Sequence, residues 1–250
     1  MSKICSKIMK KKFDRRLHLC QIVSAHGKEQ QQNTTMKKTL LIAAAALAAG
    51  IMNSQAQVYS QNIVGYVNTI VHSGFNTINN PLNATNNQLS TILPPVETSQ
   101  VLIWNGVNGY VSYTYDTGQW VDDSSNPANP AINPGLGFFY FSPASNTVTF
   151  AGSVATLVGT STTNVVLSGF RLLGSKVPYA GAATNAALNL PQQETAQILK
   201  WNGVNGYATY TIDTGVWIDD SSNPNVPSIN VGEGFFYFSP SASTNWVQSL

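Results

Sequence analysis

One segment of the chain occurs twice, and this duplication limits the architectures open to it. Residues 100–143 return without a gap as residues 197–240, and roughly three-quarters of the aligned positions are identical. The spacing between the two segments is too long for a solenoid repeat and is typical of a small domain. We therefore predict a tandem duplication, with a first repeat over residues 57–154 and a second over residues 155–250.

The hydrophobic patterns inside the repeats indicate β-structure. Residues 101–104 read as a short strand, and alternation over 110–115 places Val111, Tyr113 and Tyr115 on one face, which we expect to be core. Residues 138–141 are apolar at every position, so this strand has to be covered on both faces and each repeat needs two layers. The prediction is an all-β fold of two tandem small domains, each a sandwich or a small barrel, with one short helical turn around residues 87–93.

The segment before the first repeat has the order of a secretory signal peptide. Lys37 and Lys38 precede an apolar run over 40–52, and Ala56 ends a small-residue cleavage site. The run is shorter than the roughly 20 residues that a membrane-spanning helix needs. We therefore predict a signal peptide over 36–56, no transmembrane segment in the mature chain, and a periplasmic, extracellular or cell-surface location. Residues 1–35 are basic and lack periodicity, and we interpret them as a spurious N-terminal extension.

The charge of the exported part differs from that of the whole chain. The formal net charge is +2, but from residue 57 onward the only cations are Arg171, Lys176 and Lys200, against nine carboxylates. An acidic chain of this kind lacks the basic surface of a nucleic-acid-binding protein. Cys5 and Cys20 both precede residue 57, so the exported part can form neither a disulfide nor a thiolate metal site.

Together these features resemble a group of exported bacterial proteins of unknown role. The group shares a signal peptide that begins with Lys-Lys, an opening like that of residues 58–68, and a Pro-Gly-x-Gly-Phe-Phe signature that ends each repeat. Here the signature stands at residues 134–139 and, with Val in place of Pro, at residues 231–236. The resemblance spans residues 36–250 and implies export and a duplicated β fold. It implies no particular activity.

Each repeat carries one Asp-Thr-Gly motif, beginning at Asp116 and at Asp213. Paired motifs of this kind occur in pepsin-like aspartic peptidases, in which two carboxylates share a proton and activate a water molecule. Here, however, each motif is followed by a large residue and then Trp, where the peptidases have small residues. A three-residue hairpin turn with glycine in the left-handed region explains the same letters without catalysis. The hairpin is the interpretation we favour.

Two polar clusters and a set of aromatic residues are further candidate sites. Carboxylate and amide oxygens are the ligands that calcium prefers, so each cluster could hold a structural calcium ion, or it could form a solvated loop. The aromatic residues could stack on sugar rings if exposed, or fill the core if buried, and we favour the core. The cluster residues are Asp122, Asp123 and Asn126, and Asp219, Asp220 and Asn223; the aromatic residues are Trp104, Tyr110, Trp120, Trp201, Tyr207 and Trp217.

The sequence favours a non-enzymatic role. His72 is the only histidine after the leader, and no convergent catalytic set, phosphate loop or dinucleotide fingerprint accompanies it. We predict a surface, matrix or carbohydrate-binding protein whose partners are glycans or other surface proteins and not nucleic acid, with no cofactor beyond the calcium considered above. The alternative from another class is an aspartic-peptidase-like hydrolase that uses Asp116 and Asp213.

Overall fold

Fourteen strands and one short helix make up the part of the chain that the computed structural model describes, which is residues 64–107, 109–156, 159–204 and 206–250. The extension predicted over 1–35 and the signal peptide predicted over 36–56 lie outside these residues. The elements of the first repeat are β1 (Val64–Val71), β2 (Gly74–Asn79), α1 (Leu89–Ile92), β3 (Gln100–Trp104), β4 (Tyr110–Asp116), β5 (Gln119–Asp122), β6 (Gly137–Ser142) and β7 (Asn146–Ser153). Those of the second are β8 (Ser161–Gly174), β9 (Gly181–Ala182), β10 (Gln197–Trp201), β11 (Tyr207–Asp213), β12 (Val216–Asp219), β13 (Ser228–Ile229) and β14 (Gly234–Ser249).

Each repeat forms one five-stranded antiparallel sheet, and the strand order corresponds between them. The order is β2-β6-β3-β4-β5 in the first repeat and β8-β14-β10-β11-β12 in the second. In the first repeat a separate ribbon, β1 with β7, continues beyond the sheet, whereas β8 and β14 run on as one long hairpin with a register shift between Ser239 and Ser243. The all-β prediction is confirmed, and among the described residues no sheet closes into a barrel.

The core of each repeat lies between its five-stranded sheet, its outer ribbon and the long loop before β3 or β10. Phe138 and Tyr140 of β6 are fully buried in the first core, and Phe235 and Tyr237 of β14 occupy the same places in the second. The helix α1 lies within the predicted turn and buries Leu89 and Ile92. Val111, which alternation places in the core, is instead exposed.

The opposite face of β6 is covered by the other repeat. Phe139 and Phe236 point away from their own cores, are 5% and 6% exposed, and form a third apolar cluster with Leu172. The sequence predicted correctly that this strand is buried on both faces. The prediction that each repeat supplies both covering layers is wrong, because the second layer comes from the neighbouring repeat.

Candidate functional site at the interface between the repeats

The contacts between the two repeats are reciprocal. The indole nitrogen of Trp104 donates a 2.9 Å hydrogen bond to the carbonyl oxygen of Phe170, and the indole nitrogen of Trp201 donates one of 2.9 Å to the carbonyl oxygen of Phe75. Trp104 and Trp201 occupy equivalent positions in the two repeats. Phe75 and Phe170 are equivalent as well, since each of these phenylalanines follows a Ser-Gly pair. The repeats therefore meet as the two halves of an isologous dimer do.

The two glycines of the repeated signature bring the backbones together. The amide of Asn79 donates to the carbonyl of Gly232 at 2.9 Å, and the amide of Gly174 donates to the carbonyl of Gly135 at 3.1 Å. A methyl group added at Gly137 would lie 2.4 Å from the carbonyl oxygen of Leu173. Only glycine therefore permits this approach, and the spacing Gly-x-Gly is explained by contact between repeats.

The equivalent glycine of the second repeat is in the same situation. A methyl group at Gly234 would lie 2.7 Å from the carbonyl oxygen of Ile78. Isolated bridges join Ile78 to Glu233 and Leu136 to Leu173, again in reciprocal positions.

Aromatic rings fill the middle of the interface. The rings of Phe139 and Phe236 are 6.3 Å apart, and each also meets the tryptophan of the other repeat edge-on, Trp201 at 5.7 Å and Trp104 at 5.5 Å. Edge-to-face pairs of this kind each contribute about 0.5–1.5 kcal/mol beyond the area that they bury. The rings lock the repeats together and do not form a flat exposed platform.

Two tyrosines close one end of the ring cluster. Tyr110 and Tyr207 are equivalent residues, and their hydroxyl groups interact across the interface. Burial, with a smaller contribution from the Tyr207 hydroxyl, raises the pKa of Tyr110 to about 12. Burial also raises the pKa of Tyr207. Both hydroxyls therefore stay protonated well above neutral pH.

A polar groove opens on one side of the interface, which we call the open groove. Its volume is about 550 Å³, and both repeats contribute to its walls. The side chains on which the argument depends are Asn68, His72, Asn76, Trp201, Asn230 and Glu233. Asn76 holds the turn after β1 through bonds to the backbone of His72 and Gly74. Among the described residues, Nδ2 of Asn68, Oδ1 of Asn230 and the imidazole of His72 have no hydrogen-bond partner, and all three residues line the groove.

The single acid of the open groove is neutralised within the protein. Glu233 forms a 3.0 Å ion pair with Lys200, and both side chains are less than one-fifth exposed, at 17% and 19%. Glu233 also accepts hydrogen bonds from the backbone and side-chain nitrogens of Asn230, at 2.8 and 3.1 Å. The groove therefore carries little net charge and presents mainly amide groups.

The equivalent groove on the other side of the interface is occupied by side chains, and we call it the cationic groove. In the open groove, Asn76 lies near Gly203. At the equivalent place in the cationic groove, Arg171 lies against Gly106, and a methyl group added at Gly106 would lie 1.9 Å from Nη1 of Arg171. The stem of Lys176 lies over Gly135 in the same way, 2.9 Å from the position of an added methyl group. The reciprocal interface therefore leaves one groove open and one filled.

The Asp-Thr-Gly motifs form tight hairpin turns at the outer edges of the two sheets. Asp116 pairs with Gln119, so the turn has two residues, Thr117 and Gly118, both with positive φ, and is not the three-residue turn that the sequence predicted. The carboxylate of Glu97 accepts both turn amides, from Thr117 at 3.1 Å and Gly118 at 3.0 Å. No motif in the sequence indicates that an upstream glutamate caps the turn.

The second motif repeats this arrangement with its own cap. Glu194 accepts the amides of Thr214 and Gly215 at 2.8 and 3.1 Å. Within the described ranges, no hydrogen bond joins the side chains of Asp116 and Asp213, and both residues are exposed. The hydrolase stays an alternative prediction.

The acidic clusters fold their loops through hydrogen bonds to the backbone. Asp122 Oδ1 accepts the amides of Ser124 and Asn126, each at 2.9 Å, and these bonds lower the pKa of Asp122. Asp219 accepts the amides of Ser221 and Asn223 at 2.9 and 3.1 Å, which lowers the pKa of Asp219 likewise. Their neighbours Asp123 and Asp220 are exposed.

No ligand set of three emerges from these clusters. Among the residues that the structure describes, no group of three or more His, Cys, Asp or Glu side chains could hold a metal ion. The hydrogen bonds from the loop amides account for the repeated Asp and Asn residues, because these residues stabilise turns. Calcium binding stays a prediction.

The six candidate aromatic residues divide into two groups. Trp120 and Trp217 are buried in the two cores, at 3% and 2% exposure, whereas the other four lie at the interface. Trp120 also borders a pocket of about 350 Å³ between β5 and the loops around α1. Its ring is too buried to stack on a sugar, so the interface tryptophans are the better candidates. Of these, Trp201 borders the open groove.

The amide and histidine residues of the open groove were not predicted as site residues from the sequence. Asn68, His72, Asn76 and Asn230 are scattered along the chain and carry no motif. The available signal was the difference between the repeats: at the position of Asn76 the second repeat has Arg171. At this position a small amide in the first repeat is replaced by a long cation in the second. The replacement marks where the two sides of the interface differ.

Comparisons with known proteins identify no relative. No family model matches the chain, and no curated protein or solved structure matches it at a significant level. In the described part of the chain, no helix is long and apolar enough to cross a membrane.

Proposed function

We propose that this is a non-enzymatic carbohydrate-binding protein of the cell surface or extracellular matrix, and that the sugar lies in the open groove. The observation that carries the proposal is the groove itself, with a volume of about 550 Å³. Ligand sites in proteins commonly have volumes of about 300–1,000 Å³ and combine apolar walls with a few fixed polar groups.

The polar groups of the groove suit sugar hydroxyls. A hydroxyl both donates and accepts, and an asparagine side chain supplies one group of each kind. Asn68 and Asn230 each have a hydrogen-bonded half, which fixes the side chain: Asn68 Oδ1 accepts from Thr149 and Asn230 Nδ2 donates to Glu233. The remaining half of each amide is left for a ligand, so little conformational entropy is lost on binding.

Trp201 supplies the apolar element. Its indole nitrogen is bonded to the carbonyl of Phe75, which fixes the ring at the edge of the groove. A rigid aromatic ring beside fixed amides is suited to stacking on the apolar face of a sugar. Because Glu233 is paired with Lys200, the groove favours a neutral sugar over a charged one.

The test is a glycan array with the purified protein, followed by calorimetric titration of the best ligand. Trp201→Leu should weaken binding at least tenfold, because it removes the ring that borders the groove. Trp104→Leu is the matched control: it removes the equivalent interface ring and should lower the unfolding temperature similarly, yet leave affinity within about twofold. An array without any bound glycan, or equal losses of affinity in the two variants, would refute the proposal.

A further inference from the structure

The cationic groove contains two of the three cations found among the described residues. Arg171 and Lys176 border it, whereas Lys200 lies on the other side of the interface in its ion pair with Glu233. The equivalent residues of the first repeat are Asn76 and Pro81, so neither charge belongs to the shared framework. The two grooves therefore differ in charge as well as in whether side chains fill them.

Arg171 is held in place without any carboxylate. Its guanidinium lies against Gly106, and Nη2 donates to the carbonyl of Ser168 at 3.3 Å. The Nε atom is buried and has no hydrogen-bond partner. A buried donor without a partner costs about 1–3 kcal/mol, so the hydrogen-bonding capacity of this side chain is incompletely satisfied by the described residues.

Lys176 is in a similar state. Its ammonium group donates to the carbonyl of Thr163 at 2.7 Å, and in the described part of the chain no carboxylate lies within ion-pairing distance. Burial lowers the pKa of Lys176, and no neighbouring acid opposes that effect. A nearby anion would favour the charged form and relieve the cost of burial.

The carboxylate side chains of the described residues lie away from the cationic groove. Glu233 faces the open groove. The other eight carboxylates of the described residues lie on the two outer hairpins, on the loops that follow them, or on the residues that cap their turns, namely Glu97, Asp116, Asp122, Asp123, Glu194, Asp213, Asp219 and Asp220. The cationic groove is therefore a positive site on an otherwise acidic surface.

We propose that the cationic groove binds an anionic group, a carboxylate or a sulfate, carried by an acidic polysaccharide. The guanidinium of Arg171 offers a planar set of donors that matches either group, and Lys176 adds a second positive charge. The choice of a polysaccharide as the carrier rests on the proposed carbohydrate-binding function, whereas the anion site itself does not depend on sugar binding in the open groove. A protein with both sites would hold a polymer that carries neutral and acidic sugars.

Titration with defined probes tests the proposal. The probes are an oligogalacturonate, which carries carboxylates, and a heparin oligosaccharide, which carries sulfates, each added to the purified protein in about 50 mM salt. Arg171→Asn, which installs the residue of the first repeat, and Lys176→Gln should each weaken binding of at least one probe tenfold or more. Lys200→Gln removes the same charge from a paired position and should change affinity less than twofold.

The resonance of the Arg171 Nε–H group provides a second readout that does not depend on the variants. It should shift on addition of the bound probe, because an anion on the guanidinium changes the electronic environment of this buried group. Binding of the oligogalacturonate would indicate a carboxylate site, and binding of the heparin oligosaccharide would indicate a sulfate site. The proposal is overturned if neither probe binds the wild-type protein at about 10 mM, or if all three substitutions weaken binding equally, which would indicate diffuse electrostatic attraction.

Discussion

Replacing Gly137 with alanine tests the close approach of the two repeats. The added methyl group would lie 2.4 Å from the carbonyl oxygen of Leu173, so the backbones must separate by about 1 Å to restore ordinary contact. Overpacking of this kind costs about 1–3 kcal/mol. Weakening the hydrogen bond from Gly174 to Gly135 adds about 1 kcal/mol.

A smaller effect acts in the opposite direction. Alanine restricts the unfolded chain more than glycine does, which stabilises the folded state by about 0.4–1 kcal/mol. The net expectation is a loss of about 2–3 kcal/mol, equivalent to about 5–10 °C in the unfolding temperature of a chain of this size. Gly234→Ala should behave similarly, since its methyl group would lie 2.7 Å from the carbonyl oxygen of Ile78.

The assay is urea and thermal denaturation, with Gly65→Ala as the control. Gly65 lies in β1, has no atom within 4 Å of an added methyl group and does not have a positive φ. Its replacement should therefore leave stability unchanged or raise it by up to about 1 kcal/mol. If Gly137→Ala is no less stable than Gly65→Ala, the explanation of the repeated Gly-x-Gly spacing is wrong.

Three further predictions follow from the interface and its surroundings. Burial raises the pKa of Tyr110 and of Tyr237 from 10.0 to about 12, so stability that is fully present below about pH 10 should decline toward pH 12, and Tyr237→Phe should flatten that decline in thermal denaturation scans. Lys200→Ile and Glu233→Leu install the residues of the first repeat; each alone should destabilise by about 1–3 kcal/mol in urea titrations, whereas the double variant should recover most of the loss. Asp116→Asn should leave the unfolding temperature within about 2 °C of the wild-type value and should not change peptide cleavage near pH 4. If the wild-type protein cleaves peptides and the variant does not, the hydrolase is favoured instead.

The strands were predictable because they depend on local patterns. Alternation in 110–115, the Asp-Thr-Gly turns and the apolar run at 138–141 all act over a few residues. The burial of Phe139 was predictable for the same reason. What covers Phe139 was not, because a periodic pattern shows that a face is buried and gives no information on which part of the chain covers it.

The candidate site was less predictable. Trp201 was identified from its residue type, but its role depends on the hydrogen bond to Phe75, more than 100 residues away. The amides of the open groove come from strands and loops of both repeats, and only the pairing of the repeats brings them together. Arg171, which fills the equivalent groove, was visible in the sequence, but its importance emerges only after the two grooves are compared.

Native-state hydrogen exchange at Asn79 and Gly174 tests most directly whether the two repeats form one cooperative unit. These amides donate to Gly232 and Gly135 of the opposite repeat, so they should exchange only when the repeats separate. If the reciprocal interface is as described, both amides will exchange as slowly as the amides of the buried strand β6 and with the same dependence on denaturant. Exchange of either amide as fast as that of the exposed hairpin turns would show that the repeats move independently and would contradict the account.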